Sequence, residues 1–220
     1  MLEALYQLFL THRVITTDSR QVVPGCLYFA LKGERFNGNA FALQAIESGA
    51  ACAVVDEEVG SSDPRILRVH DVLTALQELA LRYRKDWSFP VLAITGSNGK
   101  TTTKELIRDV LQTKYNVSAT KGNLNNHIGI PLTMLRVPST CNFAVIEMGA
   151  NHQQEISSYC QYARPTHGLI TNIGKAHLEG FGGEEGVFKG KKELYDFLHA
   201  NGGGRSEEHT SELQSQFRIS

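Results

Sequence analysis

The feature that most constrains this chain is a short apolar segment that runs without interruption into a glycine turn and then into a helix. Val91 to Thr95 has the texture of a buried strand, Gly96-Ser97-Asn98-Gly99-Lys100-Thr101-Thr102 comes directly after it, and Thr102 to Tyr115 has helical period. That period predicts Leu106, Ile107, Val110 and Leu111 on the inward face. Glycines let successive backbone N–H groups turn toward one centre and let phosphates come close. The start of a helix adds positive partial charge. Gly96, Ser97, Asn98, Gly99, Lys100, Thr101 and Thr102 are therefore candidates for binding the phosphates of ATP. Lys100 would reach the β- and γ-phosphates, and the Thr101 hydroxyl would ligate Mg²⁺. The Gly-x-x-Gly-Lys-Thr spacing is shorter than the general phosphate-loop form. A glycine turn that merely carries a lysine is the competing reading, and the flanking strand and helix weigh against it.

Downstream, Phe143 to Ile146 and Leu169 to Ile173 are further short apolar segments separated by helical stretches. Buried strands alternating with helices imply a parallel sheet of βαβ units, whose ligands sit beyond the carboxyl ends of the strands. Glu147 closes the first of these strands, where a carboxylate could hold Mg²⁺ or simply be a solvated strand end. His177 comes after Thr171-Asn172-Ile173-Gly174 at the end of the second, but a lone histidine is more often structural than a ligand. Lys189, Lys191 and Lys192 fall at the predicted start of a helix, and clustered lysines ordinarily form a solvated face.

Upstream, residues 1–86 have a different texture. A helix is predicted over Leu2 to Leu10 and another over Phe41 to Ser48, with strands at Leu27 to Leu31, Cys52 to Val55 and Ile66 to Val69. Asp71 to Arg84 has helical period, with Val72, Ala75, Leu76, Leu79 and Ala80 on one face and Asp71 as N-cap. The mixture predicts a small α/β domain. Pro90 punctuates its junction with the second region, 87–203.

Composition narrows the function classes. The 220 residues carry 22 Lys and Arg against 23 Asp and Glu, for a net charge of -1, and 41% are hydrophobic. That excludes an acidic disordered chain and gives no global basic signal for nucleic acid. No apolar run approaches the ~20 residues of a membrane helix, and the first residues lack the basic start and cleavage site of a signal peptide. Cys26, Cys52, Cys141 and Cys160 are scattered with no C-x-x-C pair, which predicts buried, reduced thiols and a cytoplasmic location. Oligomeric state is left open, with a monomer the default expectation.

Residues 204–220 stand apart. The run from Arg205-Ser206-Glu207-Glu208 to Ser220 has no apolar period. It resembles the conceptual translation of a widely used sequencing adapter, whose opening AGATCGGAAGAG encodes Arg-Ser-Glu-Glu. This segment is expected to be a non-native tail, and the natural frame to be interrupted near Gly204.

Taken in order, several motifs are similar to those of the Mur ligases, ATP-dependent amide ligases of peptidoglycan synthesis. They are Asp18-Ser19-Arg20, Tyr28-Phe29-Ala30-Leu31-Lys32-Gly33, the Gly96 to Glu105 loop and helix start, and Thr120 to Thr133. Glu147-Met148-Gly149-Ala150-Asn151, Thr171 to Glu179 and Lys191-Lys192-Glu193-Leu194-Tyr195 complete the set. The resemblance covers Met1 to about Gly203. It implies a small N-terminal α/β domain that binds the UDP end of a nucleotide precursor (1–86). The N-terminal part of a central phosphate-loop ATPase domain with a parallel sheet, incomplete here, would come next (87–203). A third, Rossmann-like domain of such enzymes is absent from this chain.

The resemblance also implies site residues. Asp18, Ser19, Arg20 and Lys32 would line the uridine-diphosphate site, and Asn123, Asn125 and Asn126 would lie near the muramoyl-peptide and γ-phosphate. Lys100, Glu147, His177 and Lys191 would be catalytic. Thr101 and Glu147 would hold one Mg²⁺ and His177 a second, with Lys191 serving as a carbamate. Lys192 stands where relatives often carry glycine, so Lys191 and Lys192 compete for that role. The Gly-Asn-x-Asn-Asn run and Glu-Met-Gly-Ala point, within the family, to addition of D-alanyl-D-alanine to UDP-N-acetylmuramoyl-tripeptide through an acyl phosphate, with ATP and Mg²⁺. The alternatives are a diaminopimelate- or lysine-adding member and a non-catalytic nucleotide-binding fragment. The chain by itself is expected to be inactive as a ligase.

Overall fold

Short apolar segments spaced by amphipathic helices build one parallel sheet on each side of a junction between Tyr83 and Arg84, three residues before the boundary expected near Asp86. A computed structural model describes residues 1–174 and 178–207.

The first unit opens with helix α1 (Leu2–His12), which buries Leu5, Tyr6 and Phe9 and ends on a left-handed Arg13 whose N–H donates to the Phe9 carbonyl. Strands β1 (Ile15–Thr16) and β2 (Leu27–Phe29) come next, then a small antiparallel pair, β3 (Lys32–Gly33) and β4 (Phe36–Asn37). Helix α2 (Ala42–Glu47), strands β5 (Cys52–Val55) and β6 (Ile66–Arg68), and helix α3 (Val72–Arg84) complete the unit. The sheet runs β1-β2-β5-β6, all parallel. Tyr28, Ala42, Ile46 and Val55 share its buried core. Asp71 caps α3 as expected, its Oδ1 accepting from the Thr74 N–H at 2.6 Å. The predicted inward face of that helix is buried throughout.

The second unit contains β7 (Val91–Thr95), α4 (Lys100–Leu111), β8 (Val117–Ala119), α5 (Gly129–Leu135), β9 (Phe143–Glu147) and α6 (Glu155–Ala163). It continues with β10 (His167–Ile170), α7 (Leu178–Phe181), α8 (Glu184–Ala200) and β11 (Gly204–Glu207). Among the described residues the sheet order is β11-β10-β7-β9-β8, every pair parallel. The chain leaves β7 for the β9 and β8 side, then returns to place β10 on the opposite flank. The carboxyl end of β7 is thus a topological switch point, where parallel sheets open a crevice for ligands. Arg84 is a buried anchor of this unit: its guanidinium donates to the carbonyls of Ala163, Trp87 and Arg164 at 3.0, 3.2 and 2.8 Å. It thereby satisfies carbonyls at the end of α6 that the helix cannot pair.

Three expectations need amendment. In α4, Leu106 and Val110 are 63% and 69% exposed, and the side chain facing the sheet is Lys104, at 0%. The rotation of this helix is fixed by its first turn, which must keep Lys100 and Thr101 at the glycine loop. One turn on, that face belongs to Lys104, not to Leu106. Helix α8 begins at Glu184, so Lys189, Lys191 and Lys192 lie within it instead of at its start, and Lys191 is buried. Strand β10 ends at Ile170, so Thr171 to Ile173 are loop. The sheet also pairs Gly204 to Glu207 as β11, from His167↔Gly204 to Ile170↔Glu207, and this pairing does not bear on the expectation that residues 204–220 are a non-native tail. Ladder hydrogen bonds are made by the backbone, so such an edge needs no apolar period.

The α4 orientation has a measurable consequence. Leu106→Ala is expected to change unfolding free energy by no more than about 0.5 kcal/mol. Ile94→Ala, at a fully buried position of β7, should cost about 2–5 kcal/mol. Urea titrations of both variants check this, and a large loss for Leu106→Ala would contradict the orientation.

Candidate functional site

The turn from β7 into α4 is shaped by two glycines with positive φ, Gly96 at 143° and Gly99 at 78°. A Cβ on Gly96 would lie 2.1 Å from Thr171 Oγ1, so the loop after β10 leaves room for glycine only. That second loop holds the first in shape. The Ser97 N–H donates to the Asn172 carbonyl at 3.0 Å, and the Asn98 N–H to Asn172 Oδ1 at 2.9 Å. Thr171 Oγ1 donates to the Asn98 carbonyl at 2.5 Å, and the Gly174 N–H to Ser97 Oγ at 3.0 Å. Lys100 folds back over the turn, donating to the carbonyls of Gly96 and Ser97 at 2.8 and 3.3 Å. Desolvation pushes its pKa below the ordinary lysine value, with the Glu147 charge opposing. Thr101 and Thr102, in the first turn of α4, are exposed.

Glu147 is the last residue of β9 and is 1% exposed. Its Oε1 accepts from Thr101 Oγ1 at 3.2 Å and from Asn125 Nδ2 at 2.8 Å, and its N–H donates to Thr120 Oγ1 at 2.9 Å. Its Oε2 has no hydrogen bond and faces Lys104 Nζ at 3.6 Å. Asn125 is tied to the loop after β9 a second time, its carbonyl accepting from the Gly149 N–H at 2.8 Å. Lys191 reaches the same loop from α8. Its Nζ donates to the Ala150 carbonyl at 3.4 Å and lies 5.0 Å from the Phe181 ring centre. Burial, with the Lys100 charge next, pushes its pKa down to about 8. Lys192 pairs with Asp196 on the exposed side of the helix. Of the two candidate lysines, the buried one facing the loop is therefore Lys191.

Lys100, Thr101, Asn125 and Glu147 thus meet at the carboxyl ends of β7 and β9, and Lys191 reaches the loop that follows β9. Asn126 instead caps α5, its Oδ1 accepting from the N–H groups of Ile128 and Gly129 at 3.1 and 2.8 Å, and Asn123 is exposed. His177 lies outside the described residues. Among the described residues no cluster of three His, Cys, Asp or Glu side chains exists. The donor set is one carboxylate and one hydroxyl, oxygens only. This suits Mg²⁺, which is usually held by one or two carboxylates together with waters and substrate phosphates. The glycine cradle and the half-buried Lys100 suit a polyphosphate.

In the first unit Asp18, Ser19 and Arg20 line a cavity of about 450 Å³ together with Thr17, Phe36 and Phe41. Arg20 clasps Asp18 with two hydrogen bonds of 2.9 and 2.8 Å, which holds the Asp18 carboxyl well below the usual range. Phe36 and Phe41 stack with centroids 5.5 Å apart, and Phe36 is 46% exposed. Such a face suits a planar base. Lys32 does not line this cavity and is paired with Asp56 at 3.1 Å and Glu57 at 3.3 Å.

Sequence reasoning missed several of these participants. Lys104 was legible as a lysine on the face of Lys100, one turn along. Phe36 and Phe41 carried a weaker signal, as aromatics flanking a glycine. Asn172 lay within a family motif, but its role could not be read from it, because that role depends on the neighbouring position of β10 and β7.

Comparison with known proteins agrees with this geometry. Residues 94–205 match the Mur ligase middle domain, and residues 11–84 match the Mur ligase family catalytic domain. The UDP-N-acetylmuramoyl-tripeptide–D-alanyl-D-alanine ligase of Bacillus subtilis is 43% identical over 190 residues, covering 86% of this chain and 42% of that protein. A crystal structure of MurF from Acinetobacter baumannii superposes with a TM-score of 0.83 at 34% identity, over 95% of this chain and 50% of that one. MurF from Thermotoga maritima, solved in complex with ADP, gives 0.79 at 34% identity, over 86% and 44%. This chain spans about two fifths of the length of the curated relatives it matches. With both units matched and the nucleotide loop intact between its strand and helix, the chain belongs to the Mur ligase family.

Proposed function

We propose that this chain carries the precursor-binding and ATP-binding parts of a ligase that joins D-alanyl-D-alanine to UDP-N-acetylmuramoyl-tripeptide in the cytoplasm. The observation that carries this reading is the meeting of Lys100, Thr101, Asn125 and Glu147 at the switch point of the second sheet. Identity to ligases of that name favours it over a diaminopimelate- or lysine-adding relative.

The parts suit one course of reaction. The γ-phosphoryl group of ATP passes to the carboxylate of the tripeptide, giving an acyl phosphate with ADP as the leaving group. The amine of the dipeptide attacks its carbonyl carbon, and inorganic phosphate leaves from the tetrahedral intermediate. Such transfer depends on positioning and charge neutralisation. The loop from Gly96 to Thr102 and the Lys100 ammonium would hold the phosphates, with the N–H groups of Ser97 and Asn98 given to Asn172 instead. Thr101 and Glu147 would hold one Mg²⁺, with His177 assigned to a second, and the metal would offset phosphate charge. Asn123 and Asn126 would contact the peptide end of the precursor, with Asn125 orienting Glu147. Asp18, Ser19 and Arg20 would receive the uridine diphosphate. Lys191, whose buried amine is easier to deprotonate than an ordinary lysine, would take up CO₂ with loss of a proton and present a carbamate oxygen.

Two expectations test the assignment. In the full-length enzyme Lys100→Ala should abolish turnover while leaving affinity for the UDP precursor within about twofold, because its uridine diphosphate and the ATP are assigned to different units. Equal loss of both, read by calorimetry and phosphate release, would defeat it. The 220-residue chain alone should form no amide bond, since the ligases it matches extend well beyond it.

Lys191 gives a pH signature. Its folded pKa of about 8 lies below the ordinary lysine value of 10.5, so the unfolded chain holds the proton more tightly. The group therefore costs stability below pH 8, and the cost disappears as pH rises toward 10.5. In CO₂-free buffer, where Lys191 stays an amine, Lys191→Met should stabilise the chain at pH 7 by on the order of 3 kcal/mol, with the gain fading by pH 10. Unfolding titrations at the two pH values check this, and an equal gain at both would contradict it.

A further inference from the structure

Helix α4 spends its most buried position on a charge. Of its side chains only Lys104 is fully buried, while Leu106 and Val110 are left outside. A helix that needed only to pack on the sheet would place an aliphatic residue at that position, because removing an ammonium from water is costly unless it is paired. Lys104 Nζ lies 3.6 Å from Glu147 Oε2 and 3.0 Å from Glu105 Oε1, yet neither contact meets hydrogen-bond geometry. Glu147 Oε2 is likewise buried without a hydrogen bond. Lys104 is therefore set against two carboxylates, the part-exposed Glu105 on its own helix and the buried Glu147 at the end of β9. The other oxygen of the same carboxylate takes both neutral donors, Thr101 and Asn125.

We propose that Lys104 is a positioning residue for Glu147. Its ammonium holds Oε2 toward the interior, so that Oε1 is the oxygen presented beside the Thr101 hydroxyl for a divalent cation. The geometry supports this in three ways. Lys104 is one turn beyond Lys100 and Thr101 on the same helix face, so loop and carboxylate are fixed by one rigid element. Glu147 is held at its backbone by Thr120 and at Oε1 by Thr101 and Asn125, which leaves Oε2 as the carboxylate oxygen with no hydrogen bond to fix it. Lys104 is fully buried and so does not itself reach the phosphates.

This inference rests on the reading of Thr101 and Glu147 as Mg²⁺ ligands, and the experiment separates the two. ADP binding to the chain is measured by calorimetry in MgCl₂ and in EDTA. Wild type should bind ADP more tightly with Mg²⁺; no enhancement would overturn the metal reading and this one with it. Lys104→Met should reduce the Mg²⁺ enhancement on the order of tenfold to a hundredfold, the usual cost of losing a group that orients a ligand. Its metal-free ADP affinity should stay within about twofold, because the loop amides and Lys100 are unchanged. Retention of the enhancement, or equal loss with and without metal, would overturn the role of Lys104 alone. Thermal melting gives a second reading. Lys104→Met should lower the melting temperature in the wild-type background, where it leaves a buried carboxylate unpaired, and not in the Glu147→Gln background. An equal fall in both backgrounds, or failure of the double variant to fold, would show a purely packing role and overturn the proposal.

Discussion

Everything at the candidate site depends on how β7 turns into α4. The strand is buried between β10 and β9, so its end point is fixed by ladder hydrogen bonds on both sides. The helix must start within a few residues of that point, with its first N–H groups unpaired and directed outward. Only glycine accommodates the φ of 143° at residue 96 against Thr171. Once the turn is set, the rotation of α4 is set too, and with it the placement of Lys100 and Thr101 above the loop and Lys104 below it.

That one constraint explains a feature that otherwise looks wrong. An amphipathic helix normally turns its apolar stripe inward, yet α4 exposes Leu106 and Val110 and buries a lysine. Local preference and global fold disagree here, and such disagreements concentrate where function is built. The carboxylate opposite, Glu147, is bound from three directions by Thr101, Asn125 and Thr120, each from a different segment. The sheet brings these segments together, and the polar groups then fix one another.

The two units divide the labour by chemistry. The first offers a cavity with a charged clasp, Asp18 and Arg20, beside an aromatic pair. The second offers a glycine cradle, a lysine and an oxygen donor pair. Lys32, which the family resemblance assigns to the uridine-diphosphate site, stands against Asp56 and Glu57 at 3.1 and 3.3 Å.

The sequence by itself determined the parts that rest on local physics. Burial runs and helical period located β5 and β7 to the residue and α3 to within one, and identified the parallel sheet of the second unit. The Gly96 to Thr102 turn was legible because strand, turn and helix are contiguous, Glu147 stood out as the carboxylate that closes a strand, and the family resemblance added Asp18 and Lys191 as expectations. What only the tertiary structure decided is what distant segments do to one another. The Asn172 clamp on the loop, the ammonium of Lys104 behind Glu147, the cap that Asn126 makes on α5 and the strand at Gly204–Glu207 are such effects. The physical reason is common to them: hydrogen bonds and ion pairs between segments depend on register across the sheet, and register is a property of the packed strands, not of any one of them.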